Sequence, residues 1–95
     1  MRSYEIMLIL PADADDKVIG EVTDRIAGVL GERGGAVTKV DRWGKRRLAH
    51  EIARRSEGFY LVVECSAEPD SLRELERVLS LVDDVVRFKM VARAA

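Results

Sequence analysis

Neither asparagine nor glutamine occurs in the 95 residues. Bidentate reading of adenine by a side-chain amide is thereby excluded, so any nucleic-acid recognition has to rest on Arg, Lys, Ser, Thr, backbone groups and stacking. Cysteine is nearly absent: Cys65 stands alone, which rules out an internal disulfide, and no zinc-ligand spacing exists. A reducing, cytosolic setting is the expectation. Long hydrophobic runs are missing as well. The apolar run near the start, Ile6 to Leu10, is too short for a signal-peptide core or a membrane span, so no targeting or membrane segment is expected. Catalytic residue types are sparse. His50 is the single histidine and has no nucleophile placed beside it by motif, and the five serines form no nucleophile motif, so the chain reads as a non-enzyme without a cofactor, a metal or a small-molecule substrate.

What is present is charge, unevenly placed. The formal net charge of -1 conceals a segment from Lys39 to Arg55 with seven Lys or Arg against two acids, net +5, while the remainder holds nine bases against fifteen acids, net -6. A local positive field of this kind attracts polyanions even on a nearly neutral chain. With 47% hydrophobic and 35% charged residues, the sequence predicts one globular domain over 1–95 that buries a modest core without metals or disulfides.

Periodicity supplies the elements. Arg2 to Leu10 alternates as a strand, with Tyr4, Ile6, Leu8 and Leu10 toward the core. A helix from about Asp15 to Glu32 follows from Val18, Ile19, Val22, Ile26, Val29 and Leu30. Asp13, Asp15 and Asp16 lack the glycine and distal glutamate of a calcium loop and are read as capping groups. Gly31, Gly34 and Gly35 stand after a helix and before a strand, which makes them a helix stop and turn and not a phosphate cradle. Ala36 to Asp41 is a second strand that resumes from Arg46 to Ile52 after a bend at Trp43-Gly44. Arg54 to Gly58 reads as a polar turn, Phe59 to Ser66 as a third strand and Val85 to Arg93 as a fourth. A second helix opens at Pro69-Asp70-Ser71, with Ser71 and Glu74 at capping-box spacing, and ends near Val82.

The order strand, helix, strand, strand, helix, strand predicts an α+β, ferredoxin-like β-α-β-β-α-β split sandwich: an antiparallel sheet of order 4-1-3-2 with both helices on one face. The two most apolar strands become central and the charged ones become edges, where Lys and Arg discourage aggregation. The open face is expected to show Glu5, Met7, Tyr60, Val62, Glu64, Arg87 and Lys89, a mixed surface suited to a protein partner.

The segment Asp41 to Ile52 carries the chemistry. Lys45, Arg46 and Arg47 are consecutive and so point to both sides of a strand, with Arg42 and Trp43 just before Gly44. Arginine forks complement phosphate and tryptophan stacks on an unpaired base. The plainer alternative is a solvated hairpin arm whose Trp43 covers apolar surface. The RNA-recognition motif shares the topology, and Gly58 to Val63 is similar to its third-strand signature. Here, however, Tyr4 and Phe59 fall on the predicted core face, so the paired stacking aromatics of that motif are lacking.

Met1-Arg2-Ser3-Tyr4-Glu5, the run from Trp43 to Ile52, Gly58-Phe59-Tyr60 and Val86-Arg87-Phe88 resemble, in order and spacing, the bacterial small-subunit ribosomal protein S6 family. The resemblance covers essentially the whole chain. It implies the ferredoxin-like fold, no enzymatic activity, a cytoplasmic place on the ribosome, and binding to the central domain of small-subunit ribosomal RNA together with ribosomal protein S18. Under that reading Arg2, Arg42, Lys45, Arg46, Arg47 and Arg87 neutralise phosphates and Trp43 packs against RNA. Tyr4, Met7, His50, Tyr60, Val62 and Lys89 are the expected partner contacts. Relatives usually carry tyrosine at the position of His50 and often proline at that of Glu51. A second hypothesis of another class is a self-associating, ferredoxin-like interaction or small-ligand regulatory module.

Overall fold

The computed structural model describes residues 1–52 and 55–93. Six elements follow in the expected order: β1 (Arg2–Pro11), α1 (Asp16–Gly31), β2 (Ala36–Ile52), β3 (Arg55–Ala67), α2 (Pro69–Ser80) and β4 (Arg87–Ala92). All strand pairs are antiparallel, and the sheet order is β2-β3-β1-β4, the predicted 4-1-3-2 read from the other edge. The fold is ferredoxin-like.

The core follows from alternation. On β1 the residues Tyr4, Ile6, Leu8 and Leu10 lie opposite Cys65, Val63, Leu61 and Phe59 of β3. They meet Ile19, Val22, Ile26 and Leu30 of α1 and Leu75 and Leu79 of α2 in one buried cluster. Burying a side chain of this size contributes about 1.5–3 kcal/mol over leaving it in water. The cysteine belongs to this layer. Burial pushes the Cys65 thiol pKa up, with the backbone at Tyr4 opposing through a hydrogen bond, as a structural thiol requires.

Local chemistry sets the element ends. Asp15 caps α1, its carboxylate accepting from the Val18 N–H at 3.0 Å, as the acidic cluster predicted. The chain leaves α1 through Gly34 at φ 78°, and the Gly35 N–H returns to the Leu30 carbonyl at 2.8 Å. Helix α2 differs from expectation. Its cap is Glu68, without a side-chain hydrogen bond, and Pro69 is its first residue, so Ser71 lies inside the first turn, buried, with its Oγ unbonded. The expected Ser71–Glu74 capping box is therefore corrected: proline at the first helical position moves the cap from Ser71 to Glu68, three residues earlier.

The hairpin is also longer than expected. Strand β2 runs without interruption through Trp43-Gly44, and Arg55 to Gly58 belong to β3 and not to a turn. Arg54, placed in that turn, lies outside the described residues.

Candidate nucleic-acid interface

Strand β1 ends at Pro11, which pairs with Gly58, and Gly58 pairs on its other side with Arg46. Beyond that row, among the described residues, only β2 and β3 continue. From Arg47↔Glu57 to Ile52↔Arg55 the chain is a short two-stranded arm, about 7 Å along β3 at the usual rise per residue, and an irregularity between Arg47 and Ile52 takes up the longer β2 side. A hairpin without a third strand is marginal in water, so its root has to be held. Apolar packing holds it. Leu48 is buried, and a Cβ built at Gly58 would stand 2.5 Å from Ile9 Cγ2 and 3.5 Å from Leu48 Cδ2. A side chain at Gly58 would collide with Ile9 and only touch Leu48, so glycine is what lets Ile9 close over β3. On the helix side, Arg42 Nη1 is ion-paired with Asp16 Oδ1 at the start of α1.

The bend predicted at Gly44 is present as a β-bulge. Register shifts between Arg42 and Gly44, Gly44 takes φ 86°, and Trp43 is the extra residue, 47% exposed. Lys45 and Arg46 follow at the root of the arm, then Arg47, His50 and Arg55, all exposed. Lys45 Nζ is 3.7 Å from Glu57 Oε2, and Arg46 Nη1 donates to the Lys45 carbonyl at 3.2 Å. Among the described residues neither Arg46 nor Arg47 makes an ion pair. Solvent-exposed pairs such as Lys45–Glu57 are worth under about 1 kcal/mol, so an incoming phosphate can displace them.

The sequence-derived site divides into separate regions. Arg42, Trp43, Lys45, Arg46 and Arg47 do come together, at the bulge and the arm that follows it. Arg87 pairs with Ile9, and Ile9 with Tyr60, which pairs with Gly44, so Arg87 lies in the row of the bulge about 14 Å across the sheet. Arg2 pairs with Ala67 at the opposite end, seven residues or about 24 Å from the Arg87 row. It is not part of the same patch.

The partner residues divide too. Met7, Tyr60 and Lys89, with Ile9 and with Arg87, which the sequence assigned to phosphate, line an apolar groove of about 150 Å³ on the open face. Two expected contacts are corrected. Tyr4, 6% exposed, points into the core against the helices, and Val62, 2% exposed, is covered on its own face. Val62 lies between Met7 and Asp41 in the strand register, flanked by a strand on each side. His50 is exposed on the arm two residues past Leu48, apart from the groove. Leu48, Gly58 and Ile9 were missed. The signal was a glycine opposite the basic run, since a residue without Cβ in a strand marks close approach.

Among the described residues no group of three or more His, Cys, Asp or Glu side chains is placed to hold a metal ion. No described helix is long and apolar enough to cross a membrane.

The family model described as Ribosomal protein S6 matches residues 3–92. The small ribosomal subunit protein bS6 of Beutenbergia cavernae is 45% identical over 91 residues, covering 96% of this chain and 95% of the relative. That of Carboxydothermus hydrogenoformans is 44% identical over the same shares. The crystal structure of 30S ribosomal protein S6 from Thermotoga maritima superposes with a TM-score of 0.83 at 29% identity, covering 97% of this chain and 87% of that one.

Proposed function

The chain belongs to the ribosomal protein S6 family, structural proteins of the small ribosomal subunit in the cytoplasm, and on that premise we propose that it binds the central domain of small-subunit ribosomal RNA together with ribosomal protein S18. Its 95 residues act as one domain in this role. The observation that carries the reading is the two-stranded arm with Lys45, Arg46 and Arg47 at its root, standing clear of an otherwise acidic body.

The arm reads RNA by shape and charge. Arg46 and Arg47 take phosphate oxygens through their planar forks, Lys45 and Arg42 exchange carboxylates for phosphates, and Trp43 at the bulge packs on a base or ribose. Because the cations are few and the helices are acidic, a second protein supplies the rest of the affinity. That protein docks on the open face, where Met7, Ile9 and Tyr60 offer apolar contact beside Arg87 and Lys89.

Reconstitution on a central-domain RNA fragment tests the reading. The chain and S18 together should sediment with the fragment, and Arg46→Glu with Arg47→Glu should abolish this while leaving the circular dichroism spectrum intact. Co-sedimentation unaffected by both substitutions would remove the arm from the RNA interface.

A further inference from the structure

Strand β4 closes one side of the sheet and pairs with β1 alone among the described strands. The Arg93 N–H donates to the Ser3 carbonyl at 3.0 Å, and hydrogen-bonded pairs recur every second residue in an antiparallel ladder. Residues 87, 89 and 91 therefore turn their backbone groups toward β1. Phe88, Met90 and Ala92 turn theirs outward, where no described strand meets them. The side chains alternate in the perpendicular sense: Arg87, Lys89 and Val91 are exposed on the open face, while Phe88 and Met90 are half-buried against the core.

An edge so built distinguishes its partners. Antiparallel pairing with the β4 of a second copy would set cations among cations, an arrangement that opposes self-association. The same cations favour carboxylates. Among the described residues neither Arg87 nor Lys89 makes an ion pair, and both border the apolar groove of Met7, Ile9 and Tyr60. We propose that the outer edge of β4 accepts an extended segment of a partner protein as a fifth strand, with acidic residues facing Arg87 and Lys89 and alternate apolar residues beside Phe88 and Met90. Backbone pairing supplies the attachment, and the alternation supplies the choice of sequence. The RNA reading of the arm stands or falls separately, because β4 shares no residue with it.

Nuclear magnetic resonance on the 15N-labelled chain tests this, using a blocked eight-residue peptide of alternating glutamate and valine and its lysine–valine counterpart. The acidic peptide should shift amide signals over residues 87–92, slow amide exchange at Phe88, Met90 and Ala92, and bind about fivefold or more tighter than the basic one. Arg87→Glu with Lys89→Glu should reverse that preference. Ala92→Pro removes one outward N–H without removing a bond to β1, and should weaken binding in a chain whose remaining spectrum is unchanged. Equal affinity for the two peptides, shifts centred on the arm, or no shift at millimolar peptide would each overturn the proposal. So would loss of ribosomal RNA binding in the Arg87→Glu, Lys89→Glu variant with both peptides silent, which would make the edge an RNA contact.

Discussion

Strands β2 and β3 pass through two different environments. Within the body they are flanked by β1 or covered by helices, and Leu61, Val63 and Cys65 are almost fully buried. Past Gly58 and Arg46 the same two strands continue without a third among the described residues, and Arg47, His50, Arg55, Ser56 and Glu57 are exposed. The body is held by apolar burial and tolerates little change in volume. The arm is held at its root by Leu48 packed beside Gly58, and its surface is free to vary in charge. Stability and RNA contact are thus assigned to different lengths of one hairpin, and substitutions should separate them.

The largest effect on stability is expected in the body. Leu61→Ala removes a fully buried side chain from the central strand and should cost about 2–5 kcal/mol in urea unfolding, with RNA affinity of the folded fraction unchanged. At the junction, Gly58→Ala forces Ile9 aside and should cost about 1–3 kcal/mol. It should also reduce RNA binding by misdirecting the arm, the one substitution expected to affect both properties. Asp15→Ala, which deletes the cap of α1, should cost about 1 kcal/mol and leave RNA binding unchanged.

Alkaline pH should act on the body through Cys65. Burial raises the Cys65 thiol pKa in the folded chain, so the unfolded chain releases its proton at lower pH than the folded one. The stabilisation is complete below the unfolded thiol pKa, about 8.5, and is lost as pH rises toward the folded value. Urea midpoints should therefore fall above that pH, and Cys65→Val should flatten the decline.

The body was the legible part of the sequence. Period-two and helical spacings marked every element, the apolar content of β1 and β3 placed them at the centre, and Asp15 was readable as a cap. Failures came where cross-strand neighbours outweigh local composition. Arg55-Ser56-Glu57-Gly58 has the composition of a turn, yet pairing with β2 draws it into β3. Val62 belongs to the less apolar face by alternation, yet its neighbours on either strand bury it. Leu48 sits among charges, yet it is buried beside Gly58 of the neighbouring strand. In the candidate site the basic cluster was visible as sequence because its members are contiguous. Its separation from Arg2 depends on strand register, which no local pattern contains.

The smallest effect on stability should come from the arm, where Lys45→Ala, Arg46→Ala and Arg47→Ala together change unfolding free energy by no more than about 0.5 kcal/mol. The salt dependence of RNA binding by this triple variant, measured in the complex with S18, tests the division between body and arm most directly. The expected result is a weaker complex whose logarithmic salt slope is shallower, in the duplex limit, by about 0.9 for each phosphate that the variant no longer neutralises. An affinity and slope equal to those of the unaltered chain would contradict it.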